Sequence, residues 1–412
     1  MDGPALGLYI SIPFCRSKCT YCNFASGVYP ASEHARYVER LVEDLAGAGD
    51  WAARLGAELP RGVDTVYLGG GTPSLLPPEL IAKLFKAIRS EFDVDPGAEI
   101  TVECAPGQIA NETLTALVHA GVNRVSLGVQ SFIDREAAVS GRLHRRRDVI
   151  EDIRRLRAAG IGNLSVDLIA GLAEQTFASW DESLSVVIES GVPHTSIYML
   201  EVDEDSRLGR EMIAGGARYH AGLVPSDDTI ARMYSTAIER LAEAGIEQYE
   251  ISNFARPGFA SRHNLSYWQR RPYLGVGLDA SSALYASPHA ADSRVGSAGP
   301  PSVLRSTTTS DLKTYLNFPS DAEIDRVSSR RQHEEAWFLG LRLNAGVSLS
   351  AIEREFGPET MAGALKALER LAETGLVSSD GDTVRLTARG QLLANEVFQE
   401  FVELEASLAT AC

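Results

Sequence analysis

The sequence predicts an α/β fold: a parallel sheet, curved or barrel-like, with helices outside, followed by a smaller helical domain of winged-helix type. Two observations lead there. Between residues 6 and 285 short β-branched runs alternate six times with amphipathic helical stretches, and no hairpin signals intervene. That alternation is the mark of βα units and a parallel sheet. Beyond a compositional break, the remaining chain reads as helix, hairpin and helix.

The first strand is LGLYISI (6–12), followed by a helix over 31–48. VDTVYL (63–68) precedes a helix over 78–92, and EITVEC (99–104) precedes one over 111–120. RVSLGV (124–129) leads to a helix over 148–159, where Val149, Ile150, Ile153 and Leu156 are expected on one buried face. NLSVDLI (163–169) and HTSIYML (194–200) precede helices over 178–189 and 228–244. Residues 1–285 form one predicted domain. Residues 286–325, rich in Ser, Pro and Gly, read as a linker or crossing segment. Residues 326–412 form the second domain: an amphipathic helix through Met361, Ala364, Leu365, Leu368 and Leu371 ends near Gly375. Two short strands around an Asp-Gly turn (376–387) follow, then a last helix through Leu392, Leu393, Val397, Phe398 and Phe401.

The 412 residues are 44% apolar, enough for a large core. Thirty-nine basic against 55 acidic residues give a net charge of −16, which argues against nucleic acid as a partner. The N-terminus lacks a basic, apolar leader pattern, and no apolar run approaches the roughly 20 residues of a membrane span. A cytoplasmic protein is the expectation, and there clustered thiols favour metal binding or catalysis over disulfides.

SIPFCRSKCTYCNF (11–24) places Cys15, Cys19 and Cys22 close together, three of the chain's five cysteines. Soft thiolate ligands select Zn, Cu(I) or iron–sulfur clusters. Zinc normally takes four ligands in two pairs, and the sequence offers no second CxxC; His34, the nearest histidine, falls in the first predicted helix. A [4Fe–4S] cluster held by three thiolates, with one iron open, fits the C-x3-C-x2-C spacing; unligated thiols or zinc are the plain alternatives. Cys104, at a strand end, reads as a small buried hydrophobe, and Cys412 as a residue without a role.

This spacing, in a loop straight after the first strand, resembles the radical S-adenosylmethionine (SAM) superfamily. The resemblance implies that the open iron chelates SAM and that one electron from the cluster cleaves it to a 5′-deoxyadenosyl radical. YLGGGTPS (67–74) ends the second strand, and its glycines permit close backbone approach to a ligand. Gly69, Gly70, Gly71 and Thr72 match the superfamily's motif that receives the SAM amino group.

YISIPFC, CTYCNF, GGGTPS, SLGVQSF, SVDLIAGL and HNLSYW together, in matching order across residues 6–401, resemble the coproporphyrinogen III dehydrogenase (HemN) and HemW family. The resemblance implies a partial (β/α)6 barrel with the ligands at the C-terminal strand ends. It also implies SAM contacts at Tyr9, Glu103 (ribose hydroxyls), Gln130, Arg142 (carboxylate) and Asp167. The family has an oxidase branch, which decarboxylates coproporphyrinogen III, and a haem-chaperone branch. The oxidase has an extra cysteine two positions after the third; here Phe24 stands there, as in the chaperone branch. His263 and Tyr267 of HNLSY (263–267) match the chaperone branch's proposed haem-binding HNxxY motif, with haem as cargo. Haem-acceptor proteins, among them membrane-bound respiratory enzymes, are the implied partners, with peripheral membrane association during transfer. Two places depart from the family: Ser281 replaces a histidine, and GLAEQT stands for GLPGQT at Ala173 and Glu174. They put details of the substrate pocket in question.

Overall fold

The structure, a computed structural model, describes residues 5–287, 300–318 and 322–402. Six strands follow one another in parallel: β1 Leu6–Ile12, β2 Gly62–Gly70, β3 Asp93–Cys104, β4 Arg124–Gln130, β5 Asn163–Ala170 and β6 His194–Met199. Their helices pack outside. Along Arg146–Ala158 the residues Val149, Ile153 and Leu156 are buried. Ile150, expected beside them, is 41% exposed, because one residue's 100° step carries it off the i, i+4, i+7 stripe. Burying one such aliphatic side chain contributes ~1.5–3 kcal/mol, so the apolar stripe outweighs local propensity.

The sheet is wider than the six βα units. β7 Glu247–Glu250 and β8 Asn253–Ala255 add antiparallel to the β6 edge. β9 Tyr273–Val276 pairs parallel with β1, and β10 Ser281–Tyr285, β11 Val303–Thr308 and β12 Ala322–Val327 extend it antiparallel. Among the described residues this makes one open sheet of 12 strands. The crossing-segment reading of 286–325 is therefore corrected where the chain is described: 303–308 and 322–327 are sheet strands. Ser- and Thr-rich composition hid a β-branched strand whose burial alternates only at Leu304 and Ser306. Residues 288–299 and 319–321 of that segment lie outside the described residues.

Register sets the height of the polar groups. Tyr9 stands opposite Tyr67, Glu103 opposite Ser126, and Gly128 opposite Asp167. The C-terminal strand ends thus bring side chains from β1 to β5 to one edge of the sheet.

The C-terminal region has its own core around Trp337, Phe356, Leu371 and Phe401; Trp337 and Phe401 stack at 5.3 Å. Its helices Ser329–Leu341, Leu349–Phe356 and Met361–Glu373 lie beside β13 Val347–Ser348, β14 Val377–Asp380 and β15 Thr383–Leu386. The last predicted helix is broken: Ala388–Leu392 and Ala394–Gln399 are separated by Leu393, whose φ of −113° and ψ of 34° leave the helical region. Bidentate Arg270–Glu355 and Arg305–Glu335 pairs tie this region to the sheet.

Candidate cofactor site

The cysteine loop is closed by backbone. Cys15 N–H donates to Gly27 O at 2.8 Å, and Gly27 N–H to Pro13 O at 2.9 Å. Lys18 Nζ donates to the carbonyls of Phe24 and Ser26. The glycine run of β2 anchors the loop from below: Gly71 N–H bonds Ile12 O and Thr72 N–H bonds Phe14 O, both at 2.8 Å. A Cβ at Gly71 would meet both of those oxygens at 2.8 Å, and Gly70 has φ +99°. Side-chain-free residues are required here, which is the physical content of GGGTPS. His34 lies on helix Ser32–Leu55 and packs on Phe14 at 4.1 Å.

Cys15, Cys19 and Cys22 line one cavity of about 300 Å³ with Gly70, Gly71 and Thr72. Glu103, Gln130, Arg142 and Asp167 complete its polar wall. Tyr67 donates to Glu103 Oε1 at 2.7 Å. Asp167 accepts from Ser126 at 3.0 Å and from Ser165 at 3.3 Å. Burial pushes the Glu103 carboxyl up to about 7; the Tyr67 bond opposes this and neighbouring Asp167 adds to it. Arg142 donates to Cys19 Sγ at 3.5 Å and to Gly128 O. Burial raises the Cys15 thiol, opposed by Ser26 and Thr72. Cys104 also borders this cavity, but burial pushes its thiol up to about 12, so it stays protonated.

The donor set fits a cluster and SAM. Among the described residues no three His, Cys, Asp or Glu groups are placed to hold a single ion; the three thiols stand around a cavity instead. Gln130 Oε1 and Arg142 Nε are buried without a protein partner, and Gln130 takes a φ of +71°. An acceptor and a donor left unmet beside soft ligands suit a zwitterionic ligand. Gly69 does not line the cavity but packs under Glu103; a Cβ there would lie 3.1 Å from the carboxyl carbon. Tyr9 also lies off it, beside Tyr67 at 6.1 Å between ring centres.

His263 and Tyr267 are elsewhere. Helix Arg262–Trp268 is capped by Glu99 of β3, which accepts the N–H groups of Arg262 and His263, each at 3.1 Å. His263 is 1% exposed, with its ring stacked against Tyr67 of β2 at 5.1 Å between centres. Its Nδ1 is 2.9 Å from Thr65 Oγ1 and its Nε2 is 2.8 Å from Tyr267 Oη. Both ring nitrogens are engaged in this arrangement. Burial and nearby Arg124 lower its pKa to about 3, so the ring is neutral.

The departures have local explanations. Glu174 sits at φ +69° and pairs with Arg135 and, at 2.6 Å, with His220 Nδ1; Ala173 is buried. Ser281 bonds Thr307 at 2.9 Å. Sequence reasoning missed Tyr67, Ser126 and Ser165, which position Glu103 and Asp167. A signal existed: small polar residues recur at alternate positions of apolar strands, as in Ser165 and Asp167.

A parallel α/β sheet carrying a three-cysteine loop over a glycine-lined cavity defines a radical-SAM-type protein. Comparison with known proteins agrees: the Radical SAM superfamily matches residues 9–187, and the HemN C-terminal domain matches 327–393. The chain is 32% identical to Heme chaperone HemW of Lactococcus lactis, over 96% of each chain. It is 33% identical to Heme chaperone HemW of Bacillus subtilis, over 96% of this chain and 98% of the relative. Heme chaperone HemW of Synechocystis sp. is 36% identical over 82% of this chain and 78% of its own. A solved structure of coproporphyrinogen III oxidase (HemN) from Escherichia coli, described as a radical SAM enzyme, shares the fold. Its TM-score is 0.78 at 23% identity, covering 97% of this chain and 90% of that one. The chain belongs to the HemN/HemW family of the radical SAM superfamily.

Proposed function

We propose that the protein is a radical-SAM-type haem chaperone, which binds haem and delivers it to acceptor proteins. Position 24 carries this reading. In a chain matched over nearly its whole length by proteins named haem chaperones, the oxidase branch's extra cysteine is replaced by Phe24, which lines the cavity and is 64% exposed. A phenyl ring supplies neither a thiol nor a proton to a porphyrinogen.

Cys15, Cys19 and Cys22 are the ligands we assign to a [4Fe–4S] cluster. Gly70, Gly71 and Thr72 are assigned to the amino end of SAM, with Gly69 packing beneath Glu103, which is assigned to the ribose hydroxyls, and Arg142 to the SAM carboxylate. Gln130 and Asp167 border the same ligand, and Tyr9 supports the floor beneath it. Cluster and SAM together supply one-electron chemistry when bound. The residues' own work is to hold the ligand and, through Glu103, to accept hydrogen bonds once that carboxyl is ionised. We place the protein in the cytoplasm. No helix among the described residues is long and apolar enough to cross a membrane, so transfer to membrane-bound respiratory acceptors would be peripheral.

The test is anaerobic reconstitution with iron and sulfide, followed by SAM, a reductant and either haem or coproporphyrinogen III. Saturable haem uptake and transfer to an apo-acceptor, without decarboxylation, is the expected result. Formation of protoporphyrinogen would overturn the chaperone reading in favour of the oxidase.

A further inference from the structure

The carboxylate of Asp167, in the wall of the cofactor cavity, ends a buried hydrogen-bonded chain that runs across three strands. Ser165, two residues earlier on β5, donates to Asp167 Oδ1 at 3.3 Å and lies 2.8 Å from Nδ1 of His194. Ser165 and His194 are register partners on β5 and β6, and neither has exposed surface. His194 Nε2 is 3.0 Å from the hydroxyl of Tyr249 on β7, and that hydroxyl accepts the backbone N–H of Ser261 at 3.1 Å.

The protons of this chain have one consistent order. Burial and the nearby Arg124 guanidinium hold the His194 pKa well below the usual histidine value, so the ring carries one N–H and one acceptor nitrogen. The Ser261 N–H can only donate. Tyr249 Oη therefore receives there and, having no other protein acceptor among the described residues, gives its own proton to His194 Nε2. That leaves the ring proton on Nδ1, aimed at Ser165 Oγ, and the Ser165 proton on Asp167. The reverse order would strand the Tyr249 proton and turn the Ser165 proton away from Asp167, whereas buried polar groups are normally satisfied. Ser126 of β4 adds a second hydroxyl, 3.0 Å from both Asp167 oxygens. Burial raises the Asp167 carboxyl, and these hydroxyls oppose it. A group that receives every proton around it is placed as a carboxylate, not as an acid.

We infer that His194 is a positioning residue of the cofactor site: held in one tautomer by Tyr249, it acts through Ser165 to fix Asp167 as an acceptor for a hydrogen-bond donor or cationic group of the bound ligand. The inference rests on the reading of this cavity as the SAM site. It also separates the two carboxyl groups of the wall, since Glu103 receives a side-chain hydroxyl from Tyr67 alone and has no such chain behind it.

Two measurements test it on the full-length protein. Nitrogen-15 NMR of histidine-labelled protein, with His194 assigned from its loss in His194→Asn, is expected to show the Nδ1–H tautomer; Nε2–H in the wild type would overturn the inference. SAM affinity of cluster-loaded protein is then measured by anaerobic equilibrium dialysis. His194→Leu is expected to weaken SAM about 10-fold, whereas His194→Asn, whose amide N–H can stand where Nδ1–H does, stays within about 3-fold of wild type. A merely structural role would move unfolding in urea for both variants and would not set Asn apart from Leu in affinity. Ser165→Ala is expected to weaken SAM about 3–10-fold, with no further loss when combined with His194→Leu, and it carries the test if the histidine variants do not fold. Equal loss in Asn and Leu, or wild-type affinity in Ser165→Ala, would overturn the positioning role. Asp167→Asn separates this from the site reading, with an expected loss of about 10-fold. If it weakens SAM while Ser165→Ala does not, only the positioning role falls; if it binds SAM as the wild type does, Asp167 leaves the SAM site and both fall.

Discussion

A guanidinium nitrogen of Arg142 lies 3.5 Å from the sulfur of Cys19, although 123 residues separate them in the chain. The contact joins the loop after β1 to the segment after β4, so the side of the cavity proposed to hold the cluster and the side proposed to hold SAM share one side chain. Replacing Arg142 by Ala is expected to lower iron retention about 10-fold, as loss of an outer-shell partner does, with Lys restoring part of it. Iron analysis after competition with a chelator measures this.

The close approach of Gly71 to the cysteine loop gives a steric prediction. A methyl group there meets two carbonyl oxygens at 2.8 Å, and neither can swing away as a side chain would. Gly71→Ala is expected to cost about 1–3 kcal/mol in urea unfolding and to impair cluster assembly.

Glu103 predicts a pH dependence. Its carboxyl rises from 4.5 to about 7 on folding, by burial first, with the Tyr67 bond opposing and Asp167 adding. Between those values the folded chain holds a proton that the unfolded chain has released. Stability of the cofactor-free protein therefore falls as pH rises through this window and levels off above it. Glu103→Gln should remove that slope. Glu103 lines a cavity open to solvent, and discounted for that screening the difference between pH 5 and pH 8 is expected to be about 1 kcal/mol. Denaturant titrations of both proteins at the two pH values decide it.

Glu99 accepts two backbone N–H groups at the start of the helix carrying His263. Glu99→Ala leaves buried donors unmet and is expected to cost about 1–3 kcal/mol. Hydrogen exchange should show earlier opening of residues 262–268 than of the six parallel strands.

The two kinds of cysteine should separate cleanly. Cys19→Ser is expected to abolish four-iron loading, whereas Cys104→Ser, at a buried protonated position, should retain it. Iron and sulfide counts on reconstituted protein distinguish them; equal loading in both variants would remove Cys19 from the site.

Much of this was readable because it is local. The six βα units announce themselves by short β-branched runs alternating with helical periodicity, and C-x3-C-x2-C and GGGTPS each lie within one loop. Those patterns, with Phe24, determine the fold class, the family and the three candidate ligands. The edge strands were not readable, since a three-residue strand such as Asn253–Ala255 carries no period, and β11 lies in a Ser- and Thr-rich stretch. Nor could the sequence say what His263 faces. Its neighbours Thr65, Tyr67 and Glu99 come from other strands, and only the sheet's register brings them to one point. Tertiary structure decided that the histidine is enclosed with both ring nitrogens engaged, because burial and hydrogen-bond partnership belong to the packed chain as a whole.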